Sequence, residues 1–172
     1  INGLTDLEHP CQVLADLLTI MEHKKFSDPK SLRGFRMAFL GDGNNVAHSL
    51  MLASALLGLD LSIATPKGYE PKAEYQDMAA RLGGRVRLVN DPAEAVQGAQ
   101  AIYTDVWTSM GQESEGQRRK EIFAPFQVNS GLVSRAASKA LVMHCLPAHR
   151  GEEITDDVLE GPQSVVFDQA GN

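Results

Sequence analysis

The chain has 172 residues, of which 43% are hydrophobic and 22% are charged. This length suffices for one domain with a hydrophobic core, and this composition excludes an intrinsically disordered chain. Its 15 glycines and 8 prolines are near average, and no apolar run reaches the roughly 18 residues of a membrane helix, which excludes collagen-like, low-complexity and membrane-spanning classes. Sixteen basic and 22 acidic residues leave a formal charge of -6, which argues against a general nucleic-acid surface.

Helices and strands are predicted to alternate along the chain. Pro10 opens the first helix, and apolar residues recur behind it at helical spacing. Helices are predicted over residues 9–25, 45–57, 72–82, 91–98, 118–123, 131–137 and 155–159. Strands are predicted over residues 37–40, 59–65, 86–89, 101–104, 140–144 and 164–167. This alternation predicts an α/β fold: a Rossmann-like open parallel sheet of about five strands with helices on both faces, in three αβα layers.

Three polar clusters follow predicted strands, at residues 41–49, 105–111 and 144–150. In open parallel sheets, ligands bind beyond the carboxyl ends of the strands. We therefore expect the three clusters to meet at one edge of the sheet. A fourth cluster, residues 9–12, opens the first helix, where unpaired N–H groups can bind an anion or a carbonyl oxygen.

Taken singly, the motifs leave several interpretations open. The G-D-G-N-N segment (41–45) begins like a dinucleotide fingerprint, but Val46 replaces the third glycine. Its asparagines can bind a carboxylate or cap a helix. The D-V-W-T-S-M-G segment (105–111) can hold an ammonium group and a carboxylate, or form a turn around a buried tryptophan. The R-R-K run (118–120) is predicted to be an exposed, solvated helix face.

The H-C-L-P segment (144–147) also has competing interpretations. It offers a Cys-His nucleophile without a third member to orient the base, or a metal site whose ligand set is incomplete because no carboxylate is near in sequence. A buried cysteine in a sharp turn is the third option. We predict no metal and no other cofactor.

Only two cysteines occur, Cys11 and Cys145, far apart and in different motifs. This spacing argues against a disulfide framework and favours a reducing, cytoplasmic location. The chain opens at Ile1 without an initiator methionine or a signal-like segment, so we expect it to be the inside of a longer gene product.

In order and spacing, the four clusters resemble ornithine carbamoyltransferases. H-P-C-Q (9–12) is similar to the family's H-P-x-Q element, and residues 41–45 to its G-D-G-N-N turn. Residues 105–111 resemble its D-x-W-x-S-M-G loop, and residues 144–147 its H-C-L-P element. H-P-x-Q is shared across carbamoyltransferases, whereas S-M-G with H-C-L-P is specific for the ornithine branch. The resemblance covers residues 9–172.

The resemblance implies transfer of the carbamoyl group of carbamoyl phosphate to the δ-amine of L-ornithine, giving L-citrulline and phosphate in arginine biosynthesis or ornithine metabolism. It implies these catalytic residues: Cys145, Asp105 and His9. It implies these ornithine-binding residues: Asn45, Asp105, Ser109 and Met110. It implies these carbamoyl phosphate-binding residues: His9, Gln12, Cys145 and Leu146.

The chain departs from the family pattern at two places. The family's S-T-R-T-R phosphate-binding segment does not occur, and its Q-A-E-N-R pattern is reduced to Q-A-G-N at residues 169–172. We therefore expect residues 1–30 to be a helix leading in from an absent carbamoyl phosphate domain, and residues 31–172 to be the ornithine-binding domain, inactive alone.

The resemblance also implies a homo-oligomer, a trimer or a multiple of it, for the full-length protein, with no nucleic-acid or membrane partner. Two alternatives stay open. One is another carbamoyltransferase, acting on putrescine or an acylated ornithine, although Asp105 and Ser109 together favour a free α-amino acid end. The other is a Rossmann-type binding domain without catalysis.

Overall fold

The computed structural model describes residues 2–108 and 116–172, which contain one five-stranded sheet. Its strands are β1 (Arg36–Leu40), β2 (Asp60–Ala64), β3 (Arg85–Val89), β4 (Ala101–Thr104) and β5 (Leu141–His144). Their spatial order is β3-β2-β1-β4-β5, and every neighbouring pair is parallel. The predicted open parallel sheet is confirmed.

Helices cover both faces of this sheet. The helices of the described residues are α1 (Pro10–Lys24), α2 (Asn45–Leu57), α3 (Ala73–Arg81), α4 (Pro92–Val96), α5 (Gly116–Phe123), α6 (Ser130–Val133), α7 (Asp156–Leu159) and α8 (Val166–Gly171). Short 3-10 turns lie at Pro29–Leu32 and Ala124–Phe126. None of the helices within the described ranges is long and apolar enough to cross a bilayer.

The alternation of side chains along the strands builds two hydrophobic cores, one on each face. Met37 and Phe39 of β1 join the core beneath α1, α2 and α3. Ala38 and Leu40 join the other core, beneath α4, α6 and α7. The predicted three-layer arrangement follows from this division.

The predicted last strand, residues 164–167, is wrong. Ser164 makes a single parallel bridge to Val142 of β5, and the chain then turns into α8. Val165 packs in one core and Val166 in the other. A short apolar run does not distinguish a strand from a buried helix turn, and here the helix forms. The predicted helix over 131–137 is likewise shorter and ends at Val133.

The strand register brings three loops to one place. Leu40 of β1 pairs with Thr104 of β4, which pairs with His144 of β5. The residues that follow these three, Gly41, Asp105 and Cys145, therefore leave the sheet next to one another. The strand order also reverses direction between β1 and β4, and this is the point at which open α/β sheets bind ligands.

Candidate active site

A thiol, a carboxylate and an amide meet at this edge of the sheet. Cys145 Sγ donates a hydrogen bond to Asp105 Oδ1 at 3.0 Å, and Asn44 Nδ2 donates to Asp105 Oδ2 at 2.7 Å. Asp105 is 8% exposed, and its Oδ1 also accepts the Val106 backbone N–H. The loops after β1, β4 and β5 each supply one of the three groups, which confirms the expected meeting of the clusters.

The electrostatic setting keeps the thiol protonated. Burial, followed by the charge of Asp105, raises the pKa of Cys145 well above its ordinary value. A nucleophilic thiolate requires the opposite setting, with a lowered pKa. The geometry therefore fits a thiol that shares its proton with Asp105 better than a Cys-His nucleophile.

His144 holds the turn that carries Cys145. Its Nδ1 accepts the Leu146 N–H at 2.8 Å, so its Nε2 carries the proton and donates to Glu153 at 3.0 Å. Both side chains are fully buried, and Glu153 also accepts the His149 N–H. Leu146 adopts a φ of 53° and its peptide bond to Pro147 is cis. The Leu146 carbonyl oxygen has no donor among the described residues.

The fold brings a carboxylate from another loop, Asp105, next to the H-C-L-P segment. Ligand atoms of Asp105, His144 and Cys145 lie within 4.8 Å of one another. However, both nitrogens of His144 already form hydrogen bonds, so a metal ion would have to displace one of them. The absence of a metal stays a prediction.

A buried carboxylate connects helix α1 to the Cys145 turn. Asp16 Oδ1 accepts hydrogen bonds from Gln12 Nε2 at 2.9 Å and Gln169 Nε2 at 2.7 Å. Gln169 Oε1 in turn accepts the His144 backbone N–H at 2.9 Å. Gln12, a predicted substrate-binding residue, is thus linked through three hydrogen bonds to the residue that precedes Cys145.

Asp16 makes stability depend on pH. Burial raises its pKa from 3.8 to about 7, so the folded protein keeps a proton that the unfolded chain releases near pH 4. The free energy of unfolding is therefore highest, as far as Asp16 is concerned, below pH 4, and it decreases as the pH rises from 4 to 7. Asparagine does not titrate, so the free energy of unfolding of Asp16→Asn should rise relative to that of the unsubstituted protein by about 2–3 kcal/mol from pH 5 to pH 8. Denaturant unfolding of both proteins at the two pH values measures this, and a constant difference would contradict it.

The first turn of α2 holds the segment that leads into α1. Ser49 Oγ accepts the His9 backbone N–H at 2.8 Å, and His48 Nδ1 lies 2.9 Å from the Leu7 carbonyl oxygen. Asn45 Nδ2 donates to the Thr5 carbonyl oxygen at 2.9 Å. His9 stands at the start of α1 with its Nδ1 buried and without a partner among the described residues. The Asn45 and Ser49 side chains of α2 therefore both hold the segment that leads into α1.

The G-D-G-N-N turn has structural reasons for its residues. Gly43 donates its N–H to the Tyr69 carbonyl oxygen, and a Cβ at Gly43 would lie 2.2 Å from the Pro71 nitrogen. Asn44 caps α2 by accepting the N–H groups of Val46 and Ala47. Backbone, rather than open space for a pyrophosphate, therefore faces Gly43, which weighs further against the dinucleotide interpretation.

The expectation of an exposed R-R-K face is wrong for Arg119, which is 4% exposed. Its guanidinium pairs with Asp42, donates to the Trp107 carbonyl oxygen, and lies over the rings of Tyr69 and Phe123. Carbonyl and carboxylate acceptors from two loops satisfy the buried cation. Arg118 and Lys120 are exposed, as predicted.

The structure adds two buried polar residues that the motif analysis did not single out, Asp16 and Glu153. It also gives buried hydrogen-bonding partners to three residues that occur in the motifs: Asn44, Arg119 and Gln169. For Asp16 a signal existed, because it is a charged residue on the apolar face of an amphipathic helix. Gln169 carried no such signal, since its partners, Asp16 and His144, are distant in sequence. Glu153 lies in a polar stretch, and no local pattern indicated that its side chain is buried. Ser109 and Met110 lie outside the described residues. The roles expected for all the site residues stay predictions.

Comparison with known proteins agrees with this architecture. A family model described as "Aspartate/ornithine carbamoyltransferase, Asp/Orn binding domain" matches residues 33–172. The ornithine carbamoyltransferase of Geobacillus stearothermophilus is 57% identical over 175 residues, covering 99% of this chain and 55% of the relative. The solved ornithine carbamoyltransferase of Pyrococcus furiosus superposes with a TM-score of 0.90 at 54% identity, covering 99% of this chain and 54% of that one.

A more distant solved structure shares the same architecture. The anabolic ornithine carbamoyltransferase of Campylobacter jejuni is 36% identical with a TM-score of 0.91, covering 99% of this chain and 56% of that chain. The chain thus spans about half the length of the relatives it matches. Since the family model covers residues 33–172, the chain belongs to the aspartate/ornithine carbamoyltransferase family, in its Asp/Orn-binding domain.

Proposed function

We propose that the protein containing this chain transfers the carbamoyl group of carbamoyl phosphate to the δ-amine of L-ornithine, and that this chain is its ornithine-binding half. The observation that carries the proposal is the group formed by Cys145, Asp105 and Asn44 at the reversal point of the sheet. Relatives that match almost the whole chain are named ornithine carbamoyltransferases.

The acceptor site would hold the amino acid end of ornithine by charge and hydrogen bonds. The Asp105 carboxylate suits the α-ammonium group, and the Asn45 amide suits the α-carboxylate. Ser109 and the Met110 backbone would complete this end. A substrate without a free α-amino acid end would have no ammonium group for Asp105 or no carboxylate for Asn45, which favours ornithine over putrescine or an acylated ornithine.

The donor site would polarise the carbamoyl group. His9 would donate to the carbamoyl oxygen, while Gln12 and the Leu146 carbonyl would accept from its NH₂ group. Both the Gln12 Oε1 and the Leu146 carbonyl oxygen have no protein donor within the described ranges, so both are free to accept.

The reaction requires the attacking amine to lose a proton. The new C–N bond forms as the C–O bond to phosphate breaks, and the amine, with an ordinary pKa of about 10.4, must be neutral to attack. The Cys145 thiol donates to Asp105. It can therefore take the proton of the amine while passing its own to the carboxylate, without a covalent acyl-enzyme.

Further parts of the proposal concern the complete protein. Residues 1–30 would lead in from a carbamoyl phosphate domain and residues 31–172 would form the ornithine domain, since the relatives are about twice as long as this chain. A homo-oligomer, such as a trimer, and a cytoplasmic location are proposed on the family resemblance and on the two free cysteines.

The test is an acceptor panel with the intact protein. Carbamoyl phosphate is supplied with L-ornithine, L-aspartate, putrescine or N-acetyl-L-ornithine, and the ureido product is measured. We expect the highest kcat/KM for L-ornithine, with citrulline and phosphate formed in equal amounts. A preference for another acceptor would assign a different carbamoyltransferase. No transfer to any acceptor, with tight NAD binding, would favour the non-catalytic alternative.

A further inference from the structure

Asp16 and Glu153 are fully buried carboxylates that the proposed chemistry does not use, and Asp16 is the one bonded to a predicted substrate-binding residue. It lies in the second turn of α1 with 0% exposure, four residues after Gln12. Two side-chain amides, from Gln12 and Gln169, donate to the same oxygen, Oδ1. Burying a carboxylate without an opposite charge beside it lowers the stability of the fold, so packing alone does not explain an aspartate at this position.

The explanation lies in the asymmetry of a glutamine amide. One end of the group donates and the other accepts, and the two ends have nearly the same shape. A carboxylate oxygen accepts and does not donate. Asp16 therefore fixes the NH₂ end of Gln12 toward itself, and the Oε1 end must face away from Asp16.

We propose that Asp16 is a positioning residue that sets the orientation of the Gln12 amide, so that Oε1 is presented as an acceptor to the NH₂ group of carbamoyl phosphate. This inference rests on the proposed function. With Gln12 reversed, its NH₂ would face the substrate NH₂, and two donors would meet without an acceptor. The orientation of the Gln12 amide thus lets the site distinguish carbamoyl phosphate from an anion that has no NH₂ group.

The neighbours of Asp16 allow this orientation in both of its protonation states. Oδ2 has no hydrogen-bond partner of its own among the described residues, whereas Oδ1 carries both amide donors. A proton on Oδ2 leaves Oδ1 able to accept. The buried Tyr103 hydroxyl, the charge of Asp105 and the amides of Gln12 and Gln169 are the groups that act on Asp16, and they include no cation.

The experiment compares two ligands that differ by the carbamoyl group. Dissociation constants of carbamoyl phosphate and inorganic phosphate are measured by calorimetry on the intact protein, and their ratio reports recognition of the carbamoyl group alone. We expect Asp16→Leu, which has a similar shape and no acceptor, to lower the preference for carbamoyl phosphate about tenfold or more. Asp16→Asn keeps an oxygen able to accept both amides, and should hold the preference within about threefold.

Matched controls separate positioning from general damage. Gln169→Leu removes the other donor to Asp16 in an equally buried place, so it should destabilise the fold yet keep the preference for carbamoyl phosphate. In Gln12→Ala the preference is already lost, so adding Asp16→Leu should lower it no further. If Asp16→Leu does not fold, Asp16→Ala removes the same acceptor and gives the same test.

The outcomes distinguish this inference from the proposed function. If the unsubstituted protein does not prefer carbamoyl phosphate to phosphate, the proposed function itself fails. If it does, and Asp16→Leu keeps the preference while Gln12→Ala loses it, the positioning role of Asp16 is overturned. Equal losses in Asp16→Leu and Gln169→Leu would also overturn it, because they would show a structural effect only.

Discussion

Replacing Asp105 with asparagine is expected to lower kcat/KM for L-ornithine in the intact protein by about 10²–10⁴-fold. The carboxylate accepts the Cys145 thiol on one oxygen and the Asn44 amide on the other. An asparagine would turn an NH₂ group toward one of these donors and could not take a proton from the thiol. The same carboxylate is proposed to bind the α-ammonium group, so both KM and kcat should change. Steady-state kinetics of the variant measures the effect.

The control for Asp105→Asn is Asp77→Asn, an equal change at an exposed position of α3. It should leave the kinetics unchanged. Thermal unfolding of both variants checks that the loss is not a loss of folded protein. A rate near that of the unsubstituted protein for Asp105→Asn would remove the thiol and carboxylate pair from the mechanism.

The second large effect is expected on stability, at Arg119. Arg119→Met should lower the free energy of unfolding by about 3–5 kcal/mol, because it leaves the Asp42 carboxylate without its cation. Burial already raises the pKa of Asp42, and Arg119 is the charge that opposes this. Methionine keeps the apolar length of the side chain over Tyr69 and Phe123, so the loss reports the ion pair and the hydrogen bond to Trp107.

Arg118→Met is the matched control for Arg119, since it removes the same charge from the preceding, exposed position of α5. Denaturant unfolding should show a change within about 0.5 kcal/mol for this control. Adding Asp42→Asn to Arg119→Met should recover part of the loss, because no charge is then left unpaired. Equal effects of Arg118→Met and Arg119→Met would contradict the buried ion pair.

Much of the fold followed from local patterns. The alternation of short apolar runs with segments of helical periodicity predicted the parallel sheet. Capping residues predicted where two of the helices begin or end, and the structure confirms both caps. Asp91 accepts the Ala93 N–H at the start of α4, and Gly58 ends α2 in the left-handed conformation with a φ of 76°. Because carboxyl ends of parallel strands share an edge, the meeting of Asp105 and Cys145 was also predictable.

The errors arose where distant residues decide the outcome. The apolar run at 164–167 has the composition of a strand, but only Ser164 bridges to β5 and α8 begins at Val166. Gln169 of that helix bonds Asp16 and the His144 backbone, which are distant in sequence. Arg119 was expected in solvent because its neighbours in sequence are charged. Its acceptors, Asp42 and the Trp107 carbonyl, lie on other loops, so no local pattern could reveal its burial.

The buried amide chain is a further case of this kind. Gln12 was identified from a motif, but its connection to Cys145 passes through Asp16 and Gln169, which are 153 residues apart in the chain. The motif gives the residue type that meets the substrate. The fold supplies the groups that determine which end of that side chain is presented.

The most direct test of the central claim is a crystal structure of the intact protein with carbamoyl phosphate and L-norvaline, which is ornithine without its δ-amine. We expect the amino acid beyond the carboxyl ends of β1, β4 and β5, with its α-ammonium group on Asp105, its α-carboxylate on Asn45 and its side chain directed toward Cys145. If the amino acid is bound elsewhere, and only water lies beside Cys145 and Asp105, the assignment of this chain as the ornithine-binding half is contradicted.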